Sequence, residues 1–193
     1  FVVLAIVAMI PIPYVIESPG TAEEVSQFLT ISGAIDEDPG SLRVLTVYVE
    51  QATVLTYFKK FLKHHEMVPS EEVFGDYTPE EFDTLQDFSM RNARSKAVRV
   101  AFEAAGKTVE RHVNGIFVTR VDPNSNFRDK LKVGDIIETI DGKSPGNTDE
   151  SFEELRDYLA SLEPGHTLVL QVKRDDATMT IRGQLKMDSR TGG

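Results

Sequence analysis

The sequence contains no cysteine, and this absence excludes several kinds of site at once. Without thiols the chain forms no disulfide framework, no thiolate zinc site and no cysteine nucleophile. The start of the chain also lacks basic residues: the first Lys or Arg is Arg43. The formal net charge is −10. An acidic chain repels phosphate backbones, so we expect no nucleic-acid partner.

Sequence patterns of metal and phosphate sites are also missing. His64-His65-Glu66 suggests a metal, but a zinc protease needs a second His four positions after the first, and counting from His65 that position holds Pro69. The adjacent acids Glu71-Glu72 and Glu80-Glu81 suit the start of a helix better than an acid–base pair. No glycine-rich phosphate loop is present. We therefore expect neither a metal nor a cofactor.

The composition itself is that of a globular protein, with 40% hydrophobic and 27% charged residues. A chain of 193 residues suits one large domain or two small ones. Residues 1–16 are almost all apolar, apart from Pro11 and Pro13. This run is slightly short of the roughly 20 residues that a membrane-spanning helix needs. We interpret residues 1–18 as a truncated transmembrane anchor; a signal-peptide core and a buried strand are the alternatives.

The residues after the apolar run indicate an orientation. Glu17, Glu23 and Glu24 follow it, whereas positive charge normally stays on the cytoplasmic side of a membrane. We therefore expect a single-pass protein of the cell membrane, in contact with the membrane through its N-terminal helix. The soluble part is then on the extracellular face.

Two strands are predicted before residue 50. Phe28, Leu29 and Ile31 suggest a short strand, and residues 36–40 form a turn of Asp, Glu, Pro and Gly. Residues 42–49 follow, rich in β-branched side chains and apolar on both faces. Such a run predicts a strand that is covered on both sides.

Two helices follow these strands. Apolar residues have helical spacing over 53–65, with lysines on the other face. A longer helix is predicted over 79–105, because Thr78-Pro79-Glu80-Glu81 is a capping box and Gly106 is a stop signal. Small alanines along this helix predict close packing against another element.

The second half of the chain has a different pattern of short strands around one amphipathic helix. Asn114-Gly115 and Asp141-Gly142 are turn signals, and Pro164-Gly165 closes the helix. The predicted strands are 109–113, 116–121, 136–140, 168–173 and 178–185, and the predicted helix is 151–162.

Four motifs of this half occur in a fixed order. They are Gly115-Ile-Phe-Val118, Asp122-Pro-Asn-Ser125, Leu131-Lys-Val-Gly-Asp-Ile-Ile137 and Ile140-Asp-Gly-Lys143. Together with the following helix and strand pair, this order resembles the PDZ domain in its bacterial form. The resemblance covers residues 107–187, and the combination is specific although each motif alone is weak.

The resemblance implies a partner, namely a peptide or an unfolded polypeptide segment. In PDZ domains a peptide adds to an edge strand by main-chain hydrogen bonds, and its side chains enter a groove beside a helix. Here the helix is 151–162; the alternative is that its apolar residues are core, and for any one of them core is the favoured interpretation. Only residues 108–114 are available for the family's carboxylate-binding loop. The candidate peptide-binding residues are Val113, Asn114, Gly115, Ile116, Val118, Phe152, Leu155 and Leu159.

A second resemblance covers most of the chain. Gly40-Ser-Leu-Arg-Val-Leu-Thr-Val-Tyr-Val49 resembles the opening strand of the Lon-type protease domain, and residues 85–97 resemble its first helix. Residues 11–20 resemble the exit from a membrane anchor. The order of these parts is similar to that of the membrane-anchored, PDZ-containing Lon-like serine proteases of Gram-positive bacteria.

This second resemblance implies an α+β fold in three parts. A membrane anchor is followed by a strand–helix segment of an incomplete Lon-like domain at residues 19–106. A PDZ domain, which is a small β-barrel or sandwich capped by helices, follows at 107–187. Residues 188–193 then begin a linker.

The implied activity is that of a serine endopeptidase with a Ser–Lys dyad, acting on extracellular or membrane-proximal peptides. The family's nucleophile motif, Asp-Gly-Pro-Ser-Ala-Gly, is absent, and the dyad is expected beyond Gly193. No catalytic residue is therefore assigned, and we expect these residues alone to be inactive. The alternative is a non-enzymatic, membrane-tethered PDZ adaptor.

Overall fold

The computed structural model describes residues 2–28, 40–110 and 112–186. The chain divides into two compact units, Phe1–Thr78 and Pro79–Gly193. The long helix therefore falls in the second unit, whereas the sequence placed it in the first. The strand suggested by Phe28, Leu29 and Ile31 lies outside the described residues from Leu29 onward.

The first unit is built on a three-stranded antiparallel sheet in the order β2-β1-β3. Its elements are α1 (Val2–Ala8), β1 (Pro11–Glu24), β2 (Arg43–Thr53), β3 (Glu66–Pro69) and α2 (Ser70–Phe74). Short 3₁₀ helices occupy Val25–Gln27 and Thr56–Phe61. The amphipathic helix predicted over 53–65 is thus limited to one short 3₁₀ segment, since β2 continues to Thr53 and the backbone is extended again at Leu62.

The apolar start of the chain is helical over α1 alone. β1 begins at Pro11 and pairs with β2 from Pro11↔Thr53 to Glu24↔Arg43. Residues 11–16, which were predicted to continue an anchor helix, are therefore extended. Pro11 and Pro13 account for the difference, because proline lacks the N–H that a helix interior needs. Among the described residues, no helix has both the length and the apolarity required to cross a membrane.

β2 is an edge strand with little cover on either face. Val44, Val47 and Val49 expose 47%, 62% and 47% of their surface, and Ala52 is the buried residue near the end of the strand. The sequence predicted cover on both sides. The described residues supply cover instead to the middle of β1, where Val15 and Ile16 are buried.

The second unit contains a long helix and a four-stranded antiparallel sheet in the order β4-β5-β6-β7. Its elements are α3 (Pro79–Ala104), β4 (Ile116–Phe117), β5 (Ile136–Ile140), α4 (Asp149–Ala160), β6 (Thr167–Arg174) and β7 (Ala177–Gln184). The start of α3 at Pro79 is as predicted. Gly106, with φ of 71°, ends the helix as predicted, because Lys107 N–H donates back to Phe102 C=O at 2.9 Å.

Two of the predicted strands of this unit differ from the structure. No strand occurs among the described residues of 109–113, and the strand predicted over 116–121 is limited to β4. Hydrogen bonds to Asp135 C=O and from Gly134 N–H continue the pairing as far as Val118, outside regular strand geometry.

The core of the second unit lies between the sheet and α4. Its buried residues are Phe127, Ile140, Leu155, Leu168, Leu170, Val172 and Ile181. Phe127 fits because Gly183 has no side chain: a Cβ there would stand 2.5 Å from a ring carbon of Phe127. The absence of a side chain at Gly183 therefore allows the Phe127 ring to pack against β7.

Candidate functional site

β4 forms one edge of the four-stranded sheet, and the described residues place only β5 beside it. The approach to β4 requires glycine. Gly115 has φ of 146°, and a Cβ there would lie 2.6 Å from both Ile136 Cγ2 and Ile137 O. Gly115 therefore allows the chain to enter the sheet edge at close range to β5.

A buried ion pair fixes the turn that holds β4. The carboxylate of Asp135, which is 1% exposed, accepts from Arg174 Nε at 2.7 Å and Nη2 at 2.8 Å. It also accepts from Lys132 N–H at 2.8 Å. The hydrogen bond to Asp135 raises the pKa of Arg174, although burial acts in the opposite direction. Because Asp135 C=O accepts from Val118 N–H at 2.8 Å, the same residue anchors the chain after β4.

The first half of α3 packs against this edge. The rings of Phe88 and Phe117 stack with centroids 3.8 Å apart and an interplanar angle of 7°. Thr84 Cγ2 lies 2.9 Å from the position that a Cβ on Gly134 would take. Helix and sheet edge are therefore in contact at Thr84 and Phe88, in the first half of α3.

An open cleft of about 1090 Å³ lies between α3 and the β4 end of the sheet, where Phe117, Ile136 and Lys173 form one row of neighbours across β4, β5 and β6. One wall consists of α3 residues, namely Thr84, Phe88, Arg91, Asn92, Arg94, Ser95, Lys96, Val98 and Arg99. The other consists of Val109, Glu110, His112, Val113, Asn114, Gly115, Phe117, Gly134, Ile136, Lys173 and Asp175. The lining is apolar at Phe88, Phe117 and Ile136, and its helical wall is rich in cations.

The predicted site residues separate into two groups. Val113, Asn114 and Gly115 line the cleft, whereas Ile116 is half-buried against the core and Val118 is 7% exposed. The three candidates on α4 do not line it. The Val113 N–H donates to Asn147 Oδ1 at 2.8 Å, so this main-chain donor already has a partner within the chain.

α4 has a structural place instead. Leu155 is 3% exposed and belongs to the core, and Leu159 packs against the core from its edge. Phe152 is 50% exposed. The alternative that these apolar residues are core therefore holds for Leu155 and Leu159. The helix opposite the sheet edge in the cleft is α3, which the sequence assigned to another domain.

A polar cluster around Asp141 links α4 to the sheet. The carboxylate of Asp141 accepts from Tyr158 Oη at 2.8 Å and from Val169 N–H at 2.7 Å, and it pairs with His166 Nε2 at 3.0 Å. Burial acts to raise the pKa of Asp141, but the hydrogen bonds from Val169, His166 and Tyr158 together outweigh it and lower that pKa. The bond to Asp141 raises the pKa of Tyr158.

The lining residues of α3 were missed because their charges were attributed to the helix dipole. A signal was nevertheless present, since four cations between Arg91 and Arg99 exceed what the dipole requires. Their spacing also places several of them on one side of the helix.

Comparison with known proteins supports one of the two resemblances. The family model of the PDZ domain matches residues 88–185, which begins inside α3 and ends with the last strand. The PDZ domain of the SdrC-like protein from Listeria monocytogenes is similar over 44% of this chain and 85% of that chain, with 26% identity and a TM-score of 0.37. No protein with a curated description matches the chain. Since the matched residues are just over half of the sequence, the chain belongs to the PDZ-domain family.

Proposed function

We propose that this chain binds extended polypeptide segments in the cleft between β4 and α3. PDZ domains are in general peptide-binding modules, which add a strand of the ligand to a sheet edge. The observation that carries the proposal is the open sheet edge at β4, next to a cleft of about 1090 Å³. Main-chain bonds of this kind give weak, sequence-tolerant affinity, roughly micromolar.

A substitution that fills the cleft tests the proposal. Ser95 is an exposed lining residue of α3, so Ser95→Trp should block the cleft without disturbing the core. Met90 is 70% exposed on the same helix and does not line the cleft, so Met90→Trp is the matched control. We expect a blocked peptide of alternating Ser and Val, titrated by fluorescence polarisation, to bind Ser95→Trp at least about tenfold more weakly than Met90→Trp. Equal affinities for the two variants would place the peptide elsewhere.

We further propose that the peptide-binding unit serves a membrane-anchored, Lon-like serine endopeptidase. The order of motifs along the chain supports this proposal, and so does the exposure of β2. Val44, Val47 and Val49 lie in a β-branched strand that is typical of an interior position, yet each is about half exposed or more. Such a strand fits an element of a larger domain.

The coding sequence that follows Gly193 provides the direct test. About 150 further residues with a Ser and a Lys would match one protease domain, whereas a stop codon there would favour the non-enzymatic adaptor. Hydrogen exchange gives an independent reading of the protein itself. In a protein that contains only residues 1–193, we expect β2 amides to exchange much faster than β6 amides. Equal protection of the two strands would count against the idea that β2 belongs to a larger domain.

The location that we propose is the outer face of the cell membrane. The apolar residues before Pro11 and the lack of cations before Arg43 support it, and any anchor helix ends before β1 begins. Protease treatment of intact cells should remove the PDZ domain. Full protection in intact cells, with cleavage after lysis, would place the domain inside.

A further inference from the structure

The second half of α3 is a solvent-exposed surface with a strong positive charge. Every residue from Ser89 to Ala104 is exposed, including the alanines that predicted close packing. This stretch carries Arg91, Arg94, Lys96 and Arg99 against one acid, Glu103. The whole chain has a net charge of −10, so the concentration of cations on this surface runs against the overall composition.

These cations have few partners in the part of the chain that the structure describes. Arg99 pairs with Glu103 at 3.3 Å, whereas Arg91, Arg94 and Lys96 form no ion pair with a described residue. All four line the cleft, and Lys173 adds a fifth cation from the opposite wall. The acids of the lining are Glu110 and Asp175. The cleft therefore has an excess of positive charge, which on its helical wall lies between Arg91 and Arg99.

We propose that the cleft selects extended peptides that carry acidic side chains, a preference that rests on the peptide binding proposed above. In a strand added to β4, alternate side chains point to the same side, at a spacing of about 7 Å. Successive turns of α3 repeat about every 5.4 Å, a shorter spacing, but the long side chains of Arg and Lys can cover the difference and reach several carboxylates of one strand. Arg in particular binds carboxylates by paired, charge-assisted hydrogen bonds.

A peptide fits these observations better than a nucleic acid does. The cleft combines the cations with an open strand edge, whose main-chain groups pair with another peptide backbone. The rest of the chain is acidic and repels phosphate backbones at longer range. Short single-stranded DNA therefore serves as a competitor in the test.

The experiment compares three blocked peptides of about eight residues, with Glu, Ser or Lys alternating with Val. Fluorescence polarisation at about 50 mM NaCl should give an affinity for the Glu peptide at least about tenfold above that for the Ser peptide. The Lys peptide should bind more weakly than the Ser peptide. Raising NaCl to about 300 mM should remove most of the advantage of the Glu peptide, because the charges in the cleft are open to solvent.

The double substitution Arg91→Gln and Arg94→Gln tests the residues themselves. It should lower the affinity for the Glu peptide to within about threefold of that for the Ser peptide, and leave the Ser peptide unchanged. Arg156→Gln is the matched control, since Arg156 is an exposed cation of α4 outside the cleft lining. Circular dichroism confirms that each variant is folded.

The outcomes separate the two proposals. Equal binding of all three peptides would overturn the acidic preference and leave peptide binding intact. Binding of none would overturn peptide binding and the preference together. Displacement of the Glu peptide by an equal concentration of an oligothymidine of similar length would overturn the preference for peptides, and retained selectivity in the double variant would assign it to other residues.

Discussion

Removing the buried carboxylate of Asp135 should destabilise the second unit of the chain and weaken the attachment of β4 to its sheet. In Asp135→Ala, Arg174 loses both of its hydrogen bonds to the carboxylate, and Lys132 N–H loses its acceptor. Breaking a buried ion pair from one side costs about 3–5 kcal/mol. We expect about 3 kcal/mol, the lower end of that range, because the Arg174 side chain is 25% exposed and also donates to Lys130 C=O.

Hydrogen–deuterium exchange of β6 measures this loss in the intact chain. Since 1.4 kcal/mol corresponds to a factor of ten, the slowest β6 amides should exchange about 100-fold faster in Asp135→Ala. Asp129→Ala, which removes an exposed acid of the same unit, should shift them by less than about threefold.

A double-mutant cycle with Arg174→Met isolates the pair. The two substitutions should be less costly together than the sum of their separate effects, by at least about 1 kcal/mol. Strict additivity, or a loss below about 1 kcal/mol for Asp135→Ala, would refute the assignment of Asp135 as the anchor of this turn.

Three further predictions concern the core and the α4 cluster. Leu155→Ala should cost about 2–5 kcal/mol in urea denaturation, because Leu155 is 3% exposed; Phe152→Ala should change stability by less than about 0.5 kcal/mol and leave peptide affinity unaltered. Gly183→Ala should cost about 1–3 kcal/mol through its clash with Phe127, and Phe127→Leu in the same chain should recover part of the loss. The stabilising effect of Asp141 is fully present above about pH 3.8, its unfolded pKa, and is lost as pH falls through its lower folded pKa. The stability difference between the wild type and Asp141→Asn should therefore shrink as pH falls below about 4, and a constant difference between about pH 6 and pH 2 would contradict the lowered pKa.

Cap, stop and turn residues in the sequence were sufficient to predict where several helices and strands begin and end. α3 begins at Pro79 and is followed by Gly106, as its cap and stop signals predict, because both act through the backbone within one turn. The hairpin at Asp141-Gly142 and the last strand pair also follow from turn residues. Both residues of that hairpin have positive φ, which Asp tolerates and Gly favours.

Features that depend on distant partners were beyond the sequence. The β-branched pattern of β2 predicts cover on both faces. No residue near β2 in the sequence indicates that the described part of the chain leaves this strand exposed. Likewise, the apolar stripe of α4 is compatible with a groove and with a core, although for any single residue it favours the core. Only the tertiary arrangement shows that Leu155 points into the core and that α3 borders the sheet edge.

The exposed edge of β2 has a consequence for the behaviour of the protein in solution. A long, uncovered strand with apolar side chains is a template for pairing with another chain, and therefore for aggregation. The net charge of −10 opposes such association, because like-charged molecules repel one another over about 10 Å at moderate salt. Salt weakens this repulsion and leaves the apolar attraction in place. Colloidal stability of the isolated chain should consequently be greatest in dilute buffer and decline as ionic strength increases.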